Sequence, residues 1–582
     1  MFKNHPKGLP VLFFTEMWER FGFYLMLGIF TLYMRAGMNG AQPAKSGLDF
    51  DPATASDIYG TYIALVYLTP FVGGLLADRI LGYRRSIIIG GVLMGLGYCG
   101  LAIPGYGVHF FLSLLLIIIG NGFFKPNIST LVGNLYNDER YKANKDSGFN
   151  IFYMGINIGA LACNFVAAYL RINYGWGYAF LAAGIGMFIG VAWFLAGQKH
   201  TAHADVLRPT MPGDQPVGSI LAQVFVPAFA FAAIGWFVPN LLFGSGVEGE
   251  APYTFLGKQS NDAFLFACIP VAWFYTSLWR RAEGEDKERL GALLPLCAAV
   301  IAFWAIFHQN GDALTTWAER YTERDMPPVM ANVASEVGLA QELYSEHRVP
   351  VEDAAGNPVL GPDKQPLTKL EPEPYFSNAL AAVPPRAPAE CTDVVEDTPA
   401  VAQQCSKFSV KLISTELFQS VNAFFVVALT PVVVLVFGWL RRRKREPSTP
   451  GKIALGMFIT GLSTLVMVGA ALMTHNGAEK GSAMWLVGAY FVVTIGELCL
   501  SPMGLSMVSK LSPPRLTALM MGAWFLSTSI GNKLAGILSG LFDAFEVKAY
   551  AFGINFVLAL ASCGLIVVML PRLKRVMNKY MG

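Results

Sequence analysis

Apolar residues along this chain come in long runs parted by short polar connections. Runs of about twenty, the length that carries a helix across a bilayer, fall near 10–34, 57–76, 86–103, 109–132, 148–170 and 177–196. After a polar break come 220–243 and 261–279, then 291–312, 411–440, 453–474, 483–508, 516–541 and 549–570. The pattern predicts an all-α polytopic membrane protein of 14 transmembrane helices. An even number puts both termini on one side. Setting aside the pair at 220–243 and 261–279 leaves six spans, a break and six spans. That is the plan of a transporter built from two halves with its site at their interface. The expected divisions are an N-terminal bundle at 1–200, a linker with two added helices at 201–285 and a C-terminal bundle at 286–582. A polar insert at 313–410 interrupts the last.

Composition supports this reading and excludes others. Apolar residues make up 54% before the 59 glycines are added, and charged residues only 14%, against about 25% in a soluble domain. An ordinary globular enzyme, a disordered chain and a nucleic-acid binder are all excluded on that ground. The net charge of +3 hides an asymmetry, because residues 319–410 hold 15 acids and 7 bases. The excess of bases elsewhere gathers at Arg79, Arg84 and Arg85, at Arg280 and Arg281, and from Arg441 to Arg445. Such clusters mark cytoplasmic loops, so both termini are expected in the cytoplasm and the acidic insert outside. The first span contains Glu16, Glu19 and Arg20 and no A-x-A-like cleavage site, unlike a signal peptide.

The insert holds 12 prolines. A short amphipathic helix fits 330–347, and the rest reads as extended or loosely ordered chain. Cys391 and Cys405 both lie in it and are expected to close a disulfide on the oxidising side. The other cysteines fall in apolar spans, where a small buried residue is the natural reading. No Cys/His spacing suggests a metal, and no nucleophile–base pair suggests an intramembrane enzyme.

Charges inside a bilayer are costly and usually functional. Spacings of three and four residues place Glu16, Glu19 and Arg20 on one helical face, where two carboxylates can share one guanidinium. Lys125 lies deep in the fourth span, followed by Pro126, which loosens the helix. Glu497 occupies the corresponding helix of the second half, with Pro502 beyond it. The two could pair across a cavity or hold the two ends of a zwitterion. His308 sits within the first helix of the second half and titrates in a range suited to proton exchange, although a satisfied packing histidine reads equally well. Lys533 falls near the outer end of its span, where snorkelling accounts for it. Tyr24, Tyr67, Tyr153, Trp304 and Trp524 lie within spans, and Gly155 and Gly159 have the small-xxx-small spacing of close helix contacts.

These residues resemble a known family. The string from Glu16 to Phe21, with Glu19 and Arg20, is similar to the E-x-x-E-R-F motif of the proton-coupled oligopeptide transporters, the POT or PTR branch of the major facilitator superfamily. Phe152 to Gly159, with Asn157, resembles the family's F-Y-x-x-I-N-x-G signature. Gly74 to Arg85, with Asp78 and Gly82, resembles the superfamily's loop motif. The stretches Gln419–Asn422, Gly496–Gly504 and Met520–Leu526 are similar to later landmarks. The extra helix pair is the pattern of bacterial members.

The resemblance implies a proton-coupled symporter that imports di- and tripeptides by alternating access. It would act as a monomer in the bacterial inner membrane, with protons as the coupling ion and no cofactor. It further implies that Lys125 and Tyr24 face the peptide carboxylate and that Glu497, Asn157 and Asn422 meet its amino terminus. Tyr67, Trp304 and Trp524 would line side-chain pockets, and Glu16, Glu19 and Arg20 would couple proton release to the site through Lys125. The chain departs from the family at Phe23, Leu27 and His308. The family has arginine and an acid at the last two positions, pairing to close the outer gate. With both replaced, His308 is expected to take over as a proton-sensitive gate. The alternative reading is an importer of another small anion, such as nitrate or a carboxylate; an acidic surface receptor is a further class. Glu497 argues against a simple anion, which needs no acidic partner.

Overall fold

The computed structural model describes residues 2–37, 43–207, 216–244, 252–344, 346–350, 368–372, 409–513 and 516–581. Cys391 and Cys405 lie outside the described residues. Helices α1 (Gly8–Arg35), α2 (Pro52–Leu76), α3 (Tyr83–Leu101), α4 (Val108–Leu135), α5 (Lys145–Asn173) and α6 (Trp176–Gly197) form the first bundle. A hairpin of α7 (Val217–Phe243) and α8 (Gln259–Arg281) follows. The second bundle opens with one traverse broken into α9 (Gly284–Ala299), α10 (Ile301–Phe307) and α11 (Ala313–Arg320). After α12 (Pro328–Glu336) it continues with α13 (Leu417–Arg442), α14 (Thr449–Met473), α15 (Met484–Leu511), α16 (Thr517–Ala544) and α17 (Lys548–Met581). Among the described residues, 11 helices are long and apolar enough to cross a membrane, the broken traverse being one of them. Helices α1, α3 and α16, of 28, 19 and 28 residues, complete the two bundles. This is a polytopic helical protein of two six-helix bundles joined through an added hairpin.

Local chemistry sets the helix ends. Asp51 caps α2 by accepting from the Thr54 amide at 2.9 Å, with Pro52 at its first position, a residue pair well suited to a helix start. Between α2 and α3 the backbone turns at Gly82 with φ of 80°, which favours a residue without Cβ. Asp205, from the end of the first bundle, accepts from the Tyr83 amide at 2.7 Å and so caps α3. The basic run after α13 folds onto Glu446, reached by Arg441 and Lys452 at 2.6 Å each. Hydrogen bonds from those two side chains hold its carboxyl down at about 2.

The insert differs from its sequence reading at both ends. The helix before it runs on to Arg320, past the boundary set at 312, because Ala313, Trp317 and Ala318 are buried although Thr315, Thr316, Glu319 and Arg320 lower the local hydropathy. At the far end, 409–413 is strand rather than helix. Strand β1 (Thr322–Glu323) is parallel to β6 (Gly481–Ser482), β2 (Ala340–Tyr344) is antiparallel to β5 (Ser409–Ile413), and β3 (Glu346–Pro350) to β4 (Thr368–Pro372). The expected amphipathic helix is confined to α12, and two-stranded ribbons follow it.

The halves meet mainly where α2 packs on α16 and α5 on α13. Helix α2 crosses α16 very closely: a Cβ on Gly60 would stand 2.8 Å from the Gly536 Cα. Gly60→Val should therefore push α2 and α16 apart by up to ~2 Å. Spin-label distances across that crossing would show it, and an unchanged distance would contradict so tight a contact. Helix α8 braces the same crossing. Ser260 donates to the Asp57 carboxylate at 2.6 Å, Lys258 Nζ lies 3.0 Å from Thr54 Oγ1, and Tyr275 donates to the Leu519 carbonyl of α16 at 3.0 Å.

Candidate functional site

Between the halves lies a cavity of about 960 Å³, open in part to solvent and lined by residues of α1, α2, α5, the broken traverse, α13 and α15. Tyr24, Tyr67, Asn157, Trp304, His308, Asn422 and Glu497 all line it, as do Leu27 and Phe23. Tyr24 and Glu497 stand 473 residues apart in the chain, in helices of opposite halves.

The cationic and acidic walls stand in opposite halves. Lys125 Nζ lies 3.9 Å from the centre of the Tyr67 ring, a cation–π contact that sets the ammonium behind a cavity-lining face. Across the cavity, Glu497 accepts from Asn422 Nδ2 at 3.3 Å, and the same amide donates to Thr494 at 2.9 Å. Among the described residues no ion pair joins Lys125 to Glu497. A contact across the cavity had been one of two expectations, and the open arrangement leaves the charges available to a ligand.

Glu16, Glu19 and Arg20 come together as their spacing implied. Arg20 Nη2 donates to Glu19 at 2.8 Å, and its Nε lies 3.1 Å from Glu16. Asn121 of α4 also approaches Glu19, at 3.4 Å. All three charged residues are at most 3% exposed. Helix α5 comes close enough to shield them: a Cβ on Gly159 would collide with the Met17 carbonyl oxygen, and one on Gly155 would press on Phe13 at 3.0 Å. Lys125 lies within electrostatic range of both carboxylates.

Trp524 departs from its expected place. It is 4% exposed and packs in the core of the second bundle against Gly504, where a Cβ would meet its ring. It does not line the cavity. An indole large enough to fill the space between α15 and α16 gains more from that burial than from a cavity wall.

The gate reading also changes. Helix α1 and the traverse α9–α11 do carry an arginine–acid pair, displaced along both helices from Leu27 and His308. Arg35 Nη2 lies 2.7 Å from Asp312 and 3.2 Å from Asp543 of α16, and donates to Ser56 at 2.8 Å. Thr316 also accepts from Arg35. Lys533, read as snorkelling, is 1% exposed and 2.5 Å from Asp57, so it is a buried tie between halves. Arg171 of α5 lies 2.8 Å from Glu416 beside α13. These three ties all sit toward the insert end of the bundle. Sequence reading missed these pairings because Arg35, Arg171 and Asp312 lie at or just beyond span ends, where charge is ordinary, and Glu416 precedes α13 in a stretch read as span.

The break at His308–Gly311 is held by the first bundle. Tyr59 donates to the His308 carbonyl at 3.0 Å and Thr31 to that of Gly311 at 2.7 Å, which satisfies groups freed from the helical ladder. The His308 ring lies 5.5 Å from Tyr67 and 5.4 Å from Trp304, with Nδ1 3.3 Å from the Trp304 carbonyl. Helix α4 packs on α2 and α3, and α15 on α14 and α13. The ties at the insert end thus accompany a cavity walled by α1, α2 and α5 on one side and by the broken traverse, α13 and α15 on the other.

Comparison with known proteins agrees with this architecture. A family model described as POT family matches residues 84–330 and 402–555. An uncharacterized transporter of Bacillus subtilis is 30% identical over 99% of this chain and 96% of its own length. A di-/tripeptide transporter of Lactococcus lactis is 30% identical over the whole chain and 97% of its own length. The crystal structure of a peptide transporter POT in complex with sulfate superposes with a TM-score of 0.70 at 28% identity, covering all of this chain and 97% of that one.

Proposed function

The chain belongs to the POT family, and on that footing we propose that it is a proton-coupled symporter that imports di- and tripeptides by alternating access. The observation that carries the reading is a cavity with Lys125 behind one wall and Glu497 in the other, contributed by different halves. A short peptide is a zwitterion whose charges are separated by its backbone, so opposite charges across a gap select by length as well as by charge. Lys125 and Tyr24 take the carboxylate; Glu497, Asn157 and Asn422 take the amino group. A simple anion would leave Glu497 unpaired and repelling, which disfavours nitrate or a carboxylate as cargo.

The coupling ion is a proton held by the Glu16–Glu19–Arg20 cluster. Protonating one carboxylate leaves Arg20 with one partner and lowers the negative charge seen by Lys125, which then pairs more readily with the substrate. The insert end faces outward and the termini lie in the cytoplasm of the inner membrane. The arrangement described is closed outside, with Arg35–Asp312, Asp57–Lys533 and Arg171–Glu416 as the outer ties. His308 is a second proton site: its positive form stands beside the Tyr67 ring that also carries Lys125, so the two cations disfavour each other. His308→Gln should flatten the pH profile of uptake while leaving exchange in place. A profile like that of the native protein would make His308 a packing residue.

Thermal unfolding of the purified protein tests the substrate reading. Dialanine and trialanine at saturating concentration should raise Tm by several degrees, while alanine and nitrate should leave it unchanged. Stabilisation by nitrate alone would overturn it.

A further inference from the structure

A second, smaller chamber, with room for roughly two or three water molecules, lies beside the main cavity in the interior of the second bundle. Phe307, Asn310 and Asn422 line both spaces and stand between them. Its chemistry is unusual for the inside of a membrane bundle. Half of its lining side chains carry an amide or a hydroxyl, and no Asp, Glu, Lys, Arg or His is among them. Gln309 and Asn555 exchange two hydrogen bonds, at 3.1 and 2.9 Å, and Gln309 Nε2 also donates to the Ala305 carbonyl at 3.0 Å, so both amides stand fixed and the donor capacity left over is on Asn555. Ser463 and Thr464 donate to carbonyls of their own helix at 2.6 and 2.8 Å, leaving their oxygens as acceptors. Asn310 Oδ1 is buried and has no hydrogen-bond partner in the protein. An unpaired buried acceptor is costly, and a lining of this kind favours a neutral polar guest. Ile306, Leu314 and Met467 supply apolar surface for its aliphatic stem.

We propose that this chamber receives the side chain of a peptide's N-terminal residue and selects for neutral polar groups, carboxamides above all. This rests on the peptide reading of the main cavity. The residues shared by the two spaces adjoin the acidic wall, since Asn422 both lines the chamber and donates to Glu497. A peptide whose amino group meets Glu497 has its first side chain nearest this chamber. A charged side chain would enter a space with no counter-ion and lose its hydration, whereas a carboxamide finds both donors and acceptors.

Competition against labelled dialanine uptake tests the assignment. Gln-Ala should compete at least about tenfold better than Glu-Ala or Lys-Ala, because burying an unpaired charge costs more than burying a hydrogen-bonded carboxamide. The reversed series, Ala-Gln against Ala-Glu and Ala-Lys, should show no such ranking. Ser463→Leu, which fills the chamber, should weaken Gln-Ala about tenfold and leave dialanine uptake unchanged. Thr464→Val, a near-isosteric change, should weaken Gln-Ala in the same direction by a smaller factor, and serves if the leucine variant does not fold. Equal competition by Gln-Ala, Glu-Ala and Lys-Ala, or equal loss of dialanine and Gln-Ala in the variants, would overturn the chamber's role while leaving peptide transport standing. No uptake of any peptide by the native protein would instead overturn the peptide reading itself.

Discussion

Glu19→Gln is expected to reduce uphill, proton-driven uptake to background while sparing exchange of peptide between equal pools. Glu19 is fully buried and shares Arg20 with Glu16. Two carboxylates on one guanidinium carry a net charge of −1, and a proton brings the cluster to neutrality with one ion pair intact. Glutamine keeps an oxygen for Arg20 to donate to, but fixes the site in the charge state of the protonated acid. The cluster can then hold one conformation competent for peptide and cannot cycle a proton through it. Exchange needs no proton cycle and should persist within a few-fold. Counterflow and pH-gradient uptake in the same proteoliposomes separate the two quantities. Normal acid-driven accumulation by the variant would remove Glu19 from the coupling path.

The second large effect is expected at the outer ties. Arg35 holds Asp312 and Asp543 together with Ser56, joining α1, α2, α11 and α16. Arg35→Met leaves Asp312 buried without its counter-ion, and breaking such a pair typically costs 3–5 kcal/mol. That cost falls on the closed arrangement, because opening the insert end would hydrate the carboxylate. A bias of about 3 kcal/mol moves a two-state equilibrium by roughly 150-fold. Spin labels on the insert ends of α2 and α16 should report a longer distance in Arg35→Met, and the added change Asp312→Asn should restore much of the shorter one. An unaltered distribution in the single variant would show that Arg35 does not hold the closed arrangement, which would then rest on the other ties and the Gly60–Gly536 crossing.

What could be read from sequence follows the reach of each interaction. Helical spacing within one turn revealed the Glu16–Glu19–Arg20 cluster, since its geometry is local. Hydropathy located the spans because burial in lipid acts on every residue of a run. It failed at Ala313–Arg320, where the helix is buried by protein rather than by lipid and so tolerates polar residues. Lys533 illustrates the second limit: a lysine near a span end looks the same whether it snorkels or pairs with Asp57, 476 residues away. Arg35 and Asp312 are 277 residues apart, and nothing in either neighbourhood announces the other. Trp524 was placed by resemblance, and the packing of α15 against α16 decided its position instead. The chamber beside Asn422 was invisible for the same reason, since its amides and hydroxyls come from five separate helical segments.

The account turns on protons driving a zwitterion past Lys125 and Glu497. Its most direct test is uptake of labelled dialanine into proteoliposomes under an imposed inward proton gradient. The prediction is accumulation above the external concentration, collapsed by a protonophore and absent in both Lys125→Ala and Glu497→Gln. Accumulation that ignores the gradient, or proton-driven uptake of nitrate with none of dialanine, would contradict it.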